Sequence, residues 1–373
     1  MTRRLIAVLA AALAGAGAAL YGSPASADQY RNQQWHLDYL NVAEAHRIST
    51  GKGVTVAVID SGVSKHPDLA GSVLKGTDFV KPGGDGTIDL DGHGTNMAGL
   101  IAAHGKNGNG ALGIAPDAKI LPIRILGSGH AKVDFAPALQ YAISHGAKVV
   151  NLSVGGSVTP AIINAIEAAK SSDVVIVAAA GNRPDDVGVA APAFLDGIVA
   201  VGAVDKKGNK AEISVTGPAM DLAAPGEDMT STSNKGLYSV GTQGTSGAAA
   251  IVSGAAALLR SKYPNMSADE VVQRLEATAT DKGAPGVDPV YGHGIVNLVA
   301  ALSATDIPAS SGQPSTPATS QDAATPPTSQ AAPGASTSSS STPLLFGGLA
   351  VAVLVAGLVA VFALRRKQSP DPR

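Results

Sequence analysis

Residues 54–62 read VTVAVIDSG. The run is apolar and rich in β-branched residues up to Ile59, without the polar alternation that a strand with one wet face would show. It therefore reads as a strand buried on both faces and ending at Asp60. Similar runs recur as AKILPIRIL at 118–126, AKVVNLSV at 147–154, VVIVAAA at 174–180 and GIVAVGAV at 197–204. Helical stretches are expected from His93 through Ala103 and at 132–145, 160–171, 245–262 and 268–279. The last has a capping signal, Ser267 followed three residues later by Glu270. Strands alternating with helices imply an α/β fold, a mostly parallel central sheet with helices on both faces. In such folds reactive side chains gather at the carboxyl ends of the strands, and Asp60 stands at one.

Composition narrows the function. Lys and Arg total 27 against 29 Asp and Glu, a net charge of −2 that provides no basic field for nucleic acid. The 373 residues include no cysteine, which removes disulfides, thiolate metal sites and thiol nucleophiles together.

Both ends differ from the middle. Residues 2–27, TRRLIAVLAAALAGAGAALYGSPASA, carry a basic start, an apolar run and a small-x-small site, as a signal peptide does. The apolar run is short for a membrane span, which favours cleavage after Ala27 over an uncleaved anchor. Residues 307–343 collapse to Ser, Thr, Pro, Ala, Gln and Gly and read as a disordered stalk, with a root-mean-square span of roughly 35 Å. Residues 344–364, LLFGGLAVAVLVAGLVAVFAL, are uncharged and long enough for a transmembrane helix. Arg365, Arg366 and Lys367 begin a short tail, 365–373, that the positive-inside rule makes cytoplasmic. A sorting signal for wall attachment would also end this way, but no Leu-Pro-x-Thr-Gly precedes the span. The domain expected to fold outside the membrane is residues 28–306.

Three short motifs could carry chemistry there. Asp60-Ser61-Gly62 puts a carboxylate at the end of a buried strand, costly unless something donates to it. Asp91-Gly92-His93-Gly94-Thr95 flanks a histidine with glycines at a helix start, so that substrate backbone can come close. Gly244-Thr245-Ser246-Gly247 puts a serine at a helix N-terminus, where the dipole favours a developing oxyanion. Taken alone, each has a bland reading: a turn aspartate, a surface histidine, an ordinary N-cap serine.

Together, in the order Asp, His, Ser on an α/β frame, they resemble the subtilase pattern. Ala178-Ala179-Ala180-Gly181-Asn182 is similar to that family's oxyanion loop, and Asn151-Leu152-Ser153-Val154-Gly155-Gly156 to its substrate-pairing strand. The resemblance runs from about Trp35 to Leu302 and implies a serine endopeptidase needing no cofactor for its chemistry. It assigns Asp60, His93 and Ser246 as the triad and Asn182 to the oxyanion hole. Leu152, Ser153, Val154, Gly155, Ala180 and Gly181 become substrate-binding residues. With no acid evident at the primary pocket's floor, apolar or medium-sized residues are expected before the cleaved bond. Departures from the family are Gly247 and Ala250, where a larger residue and a proline are usual, and Asn96 and Met97 in the histidine motif.

Structural calcium, which many subtilases bind, has two side-chain candidates here, Asp68 and Asn107. Calcium typically takes ~6–8 oxygens, and a solvated glycine turn accounts for residues 104–110 equally well. Gln34-Trp35-His36-Leu37 resembles the mature N-terminal segment of the family, leaving no room for a folded prodomain before it. Signal, protease, stalk, span and basic tail together resemble mycosins, the membrane proteases of type VII secretion systems. The expected partners are therefore protein or peptide substrates, the membrane and a secretion system. The competing expectation is a catalytically weak protease fold kept as a scaffold in a membrane complex. A lipase reading is weaker, because no Gly-x-Ser-x-Gly elbow frames Ser246.

Overall fold

The computed structural model describes residues 28–106, 109–127 and 134–305. Three short helices come first, α1 (Asp28–Asn32), α2 (Trp35–Tyr39) and α3 (Val42–Ile48), followed by β1 (Thr55–Asp60) and β2 (Thr77–Asp78). Then come α4 (His93–Ala102), β3 (His104–Lys106), β4 (Asn109–Leu112), β5 (Lys119–Arg124), α5 (Ala136–Ser144), β6 (Val149–Leu152), α6 (Pro160–Ser171) and β7 (Val175–Ala179). The chain continues through β8 (Ile198–Val204), β9 (Leu222–Pro225), β10 (Met229–Thr232), β11 (Tyr238–Thr242), α7 (Thr245–Lys262), α8 (Ala268–Ala277) and α9 (Leu298–Ser303).

Seven strands form one sheet in the order β2-β5-β1-β6-β7-β8-β9, every pair parallel. Alternation along the strands divides the core into two layers. Val56, Val58, Val149, Val175 and Val177 face a layer shared with α4 and α7. Ala57, Ile59, Val150, Ile176 and Ala178 face one shared with α5 and α6. Both faces are thus covered, the physical reason these strands read as unbroken apolar runs. α7 is buried almost throughout, because its TSGAAAIVSGAAALL face is small enough to lie close over the sheet.

The N-terminal segment wraps this body. Gln34, 2% exposed, donates from Nε2 to the carbonyls of Leu112 (3.0 Å) and Thr230 (3.1 Å) and accepts from the Leu112 N–H (2.8 Å). Trp35 Nε1 donates to Glu227 O at 3.0 Å. The five strands and five helices expected from sequence are present, with ends shifted by up to a few residues. Expected helix 132–145 begins at Ala136, where Asp134 Oδ1 accepts the Ala136 N–H at 2.9 Å.

The expected signal peptide, stalk, transmembrane helix and tail lie outside the described residues. Among the described residues, no helix is long and apolar enough to cross a membrane.

Candidate active site

β1, β6 and β7 are neighbours in the sheet, so their carboxyl ends open side by side, about 5 Å apart. They deliver Asp60, the segment starting at Ser153, and the Gly181-Asn182 turn to one edge. Asp60 is fully buried, and its Oδ1 accepts the Ser61 N–H at 2.6 Å. His93 Nδ1 lies 2.8 Å from Asp60 Oδ1 and 2.9 Å from Oδ2, so the ring's inner nitrogen is bound to the carboxylate.

The start of α4 is shaped to bring this about. Buried Asp89 accepts at Oδ1 from the Gly92 N–H (2.7 Å), the Asp91 N–H (3.1 Å) and Ser61 Oγ (2.9 Å). Its Oδ2 takes the Thr95 N–H at 2.9 Å and the Thr95 hydroxyl. One carboxylate therefore ties the turn after Asp60 to the helix carrying His93 and meets the positive helix end. Only glycine fits at 94, since a Cβ there would lie 2.1 Å from Gly62 O and 3.1 Å from Asp60 Cβ. Burial disfavours the His93 charge, but Asp60's charge and hydrogen bond, with the charges of Asp91 and Asp89, overcome it and push the imidazole up to about 9.

α7 begins at Thr245, placing Ser246 in its first turn, where backbone N–H groups have no intrahelical partner. Gly244 precedes it at φ 149°, a conformation that side chains rarely adopt. Thr245 donates to Asn182 Oδ1 from its N–H (3.0 Å) and its hydroxyl (3.3 Å), which leaves the amide's Nδ2 as the end free to donate elsewhere. Asn182 and Ser246 together border two cavities. One, of about 380 Å³, is shared with His93, Gly92 and Met97. The other, of about 720 Å³, is shared with Ser153, Val154, Gly155, Ala179 and Gly181. No hydrogen bond joins His93 Nε2 to Ser246 Oγ here; in substrate-free sites this bond is commonly long or poorly aligned.

The residues expected at the site are thus largely brought together, with two corrections. Leu152 and Ala180 do not line the cleft. Leu152 is the last residue of β6 and points into the layer under α5 and α6. Ala180 packs against Val215 and Met220, so its neighbours Ala179 and Gly181 form the wall instead. The sequence reading gave no supporting role to four residues that have one: Asp89, Thr245, Asn151 and Ser253. Ser253 Oγ donates to Asn151 Oδ1 (3.1 Å), Asn151 Nδ2 to Ser153 Oγ (3.0 Å) and Ser153 Oγ to Ser246 O (3.2 Å), a buried chain linking β6 to α7. Thr245 lay within the serine motif, Asn151 opened the substrate-pairing segment and Asp89 stood four residues ahead of His93, the only signals available.

Asp68 does not fit a calcium site. Its Oδ2 already accepts from the Ala111 N–H and the Tyr238 hydroxyl, both at 2.8 Å. The nearby Gly110 carbonyl accepts from Arg31 Nε at 2.7 Å, which brings a guanidinium close to Asp68's loop. Asn107 lies outside the described residues, and among those described no group of three or more His, Asp or Glu could hold a metal ion.

Comparison with known proteins gives the family. The Subtilase family model, Peptidase_S8, matches residues 51–294. Subtilisin Savinase of Lederbergia lenta is 40% identical over 271 residues, 72% of this chain and 97% of that protein. The crystal structure of MycP1 from Mycobacterium smegmatis aligns over 74% of this chain and 85% of that one at 31% identity, with a TM-score of 0.67. The MycP3 protease from the type VII (ESX-3) secretion system aligns over 72% and 88% at 34% identity, with a TM-score of 0.65. The chain belongs to the subtilase family and is a subtilisin-like serine endopeptidase.

Proposed function

We propose that the protein cleaves exported proteins at the outer face of a membrane, through an Asp60-His93-Ser246 triad. The observation carrying this reading is the Asp60–His93 bridge at 2.8 Å beside a cavity that His93, Asn182 and Ser246 all border. Ser246 Oγ attacks the peptide carbonyl and passes its proton to His93 Nε2, while Asp60 holds the Nδ1–H and stabilises the imidazolium. The tetrahedral oxyanion accepts from Asn182 Nδ2 and the Ser246 N–H. His93 returns the proton to the leaving amine, and water then hydrolyses the acyl-enzyme by the same route. An extended substrate lies main chain to main chain along Ser153–Gly155, so recognition is tolerant of sequence except at the side-chain cavities.

The proposed frame around this domain, residues 28–306, is the one read from sequence: signal peptide 1–27, stalk 307–343, transmembrane helix 344–364 and cytoplasmic tail 365–373. The structural likeness to MycP1 and MycP3 supports a role beside a type VII secretion system. The test is hydrolysis of a quenched protein substrate by carbonate-washed membranes from cells expressing the full chain. Activity in that fraction, lost in Ser246→Ala and released to the medium when residues 344–373 are deleted, is the expected result. Activity that survives Ser246→Ala, or that carbonate strips from the membrane, refutes it.

A further inference from the structure

The larger cavity beside Ser246 is walled on one side by Ser153–Ser157 and on the other by Ala179, Gly181, Ala190 and Ala191. The Gly156 N–H donates to Ala191 O at 3.1 Å and joins the two walls. Side chains no larger than a methyl on the second wall leave the space to the ligand. One carboxylate, Asp186, lines it together with Asn182 and Ser246. Its Oδ2 accepts the Asn182 N–H at 2.9 Å, and a Cβ at Gly181 would lie 2.8 Å from that oxygen. The carboxylate is thus held against Gly181 and Asn182, which border the cavity with Ser246.

No Lys, Arg or His lines this cavity among the described residues, and Asp186 forms no ion pair among them. The other charged residue at the rim, Asp134, is also acidic. An apolar side chain entering here would meet a half-buried carboxylate that has no ion-pair partner among the described residues, whereas a cation would neutralise it.

We infer that Asp186 selects a basic residue, Lys or Arg, immediately before the scissile bond. This rests on the proposed peptidase reading, gives its site a substrate class, and reverses the sequence expectation of apolar residues there.

The test uses the full chain in detergent and peptidyl diphenyl phosphonates that differ only in that residue: Lys, Arg, Leu or Phe. A small fluorophosphonate runs in parallel to report a competent serine without using the cavity. The basic probes should label faster than the apolar ones by at least about tenfold, a margin that shrinks with added salt. Asp186→Asn keeps an oxygen for the Asn182 N–H but removes the charge, and should collapse the ratio towards one. Asp186→Lys should invert it. Fluorophosphonate labelling with equal or faster reaction of the apolar probes overturns the inference, as does a basic preference that persists in Asp186→Asn. Labelling by none of the probes refutes the peptidase reading itself, and this inference with it.

Discussion

Replacing Asp60 with asparagine should change the pH dependence of catalysis as well as its size. With Asp60 in place, the imidazole of His93 titrates at about 9, although burial opposes its charge. At pH 7 only about 1% of the wild-type rings are then neutral and able to take the Ser246 proton, rising to about 90% at pH 10. Without the carboxylate, burial is countered only by Asp91 and Asp89, and the ring should fall to its ordinary 6.5 or below. About three quarters of the variant rings are then neutral at pH 7. If Asp60 is the triad aspartate, as proposed, its loss costs about 10⁴ in turnover where the base is neutral in both forms, because the remaining hydrogen bond no longer enforces the productive tautomer. The variant should therefore be about 10⁴ slower at pH 10 but only about 10² slower at pH 7. The assay is kcat/KM on a peptide anilide from pH 5 to 10.5, and two parallel profiles with one ratio throughout would refute the reasoning. Stability follows the same group. A histidine raised on folding stabilises fully below pH 6.5 and loses that contribution as pH rises through about 9. The difference corresponds to at most roughly 3 kcal/mol, reduced to about 1–2 because a third of the side chain is exposed.

Asn182→Ala removes one proposed oxyanion donor, and its turnover should fall at least about a hundredfold with KM little changed, read by steady-state kinetics. Gln34→Ala leaves the Leu112 N–H and the carbonyls of Leu112 and Thr230 without their partner, and should cost about 2–4 kcal/mol in denaturant unfolding. Burial, then the charge of Asp221, raises Glu276 to about 7, so ionising it works against the fold: stability is highest below 4.5 and declines as pH rises to 7. Glu276→Gln should accordingly raise Tm at pH 8 and leave it unchanged at pH 4.5.

The central strands were legible because burial on both faces leaves runs such as VVIVAAA that no surface strand would tolerate. β9 is four residues ending in Pro225, and β10 and β11 mix Ser, Thr and Gly; each is defined by the strand it pairs with rather than by its own pattern. Asp60, His93, Asn182 and Ser246 stood out because glycine or small neighbours mark a backbone that must bend or be approached closely. Leu152 and Ala180 were misplaced by parity alone, since a shift of one residue at a strand end turns a side chain from cleft to core. Asp89 could not be read at all. Its five donors come from Ser61, Asp91, Gly92 and Thr95, and only the folded turn collects them around one carboxylate. Asp186 could not be read either, because its place in the cavity wall depends on the turn that folds it back onto the Asn182 N–H.

The claim on which the rest depends is that Ser246 is a nucleophile activated by His93. The direct measurement is fluorophosphonate labelling of the full chain in detergent, with the adduct located by peptide mass spectrometry, alongside Ser246→Ala and His93→Ala. A single adduct on Ser246, absent from both variants and forming faster as pH rises towards 9, is the predicted result. A folded wild-type protein that stays unlabelled, or an adduct that forms equally well in His93→Ala, would contradict it.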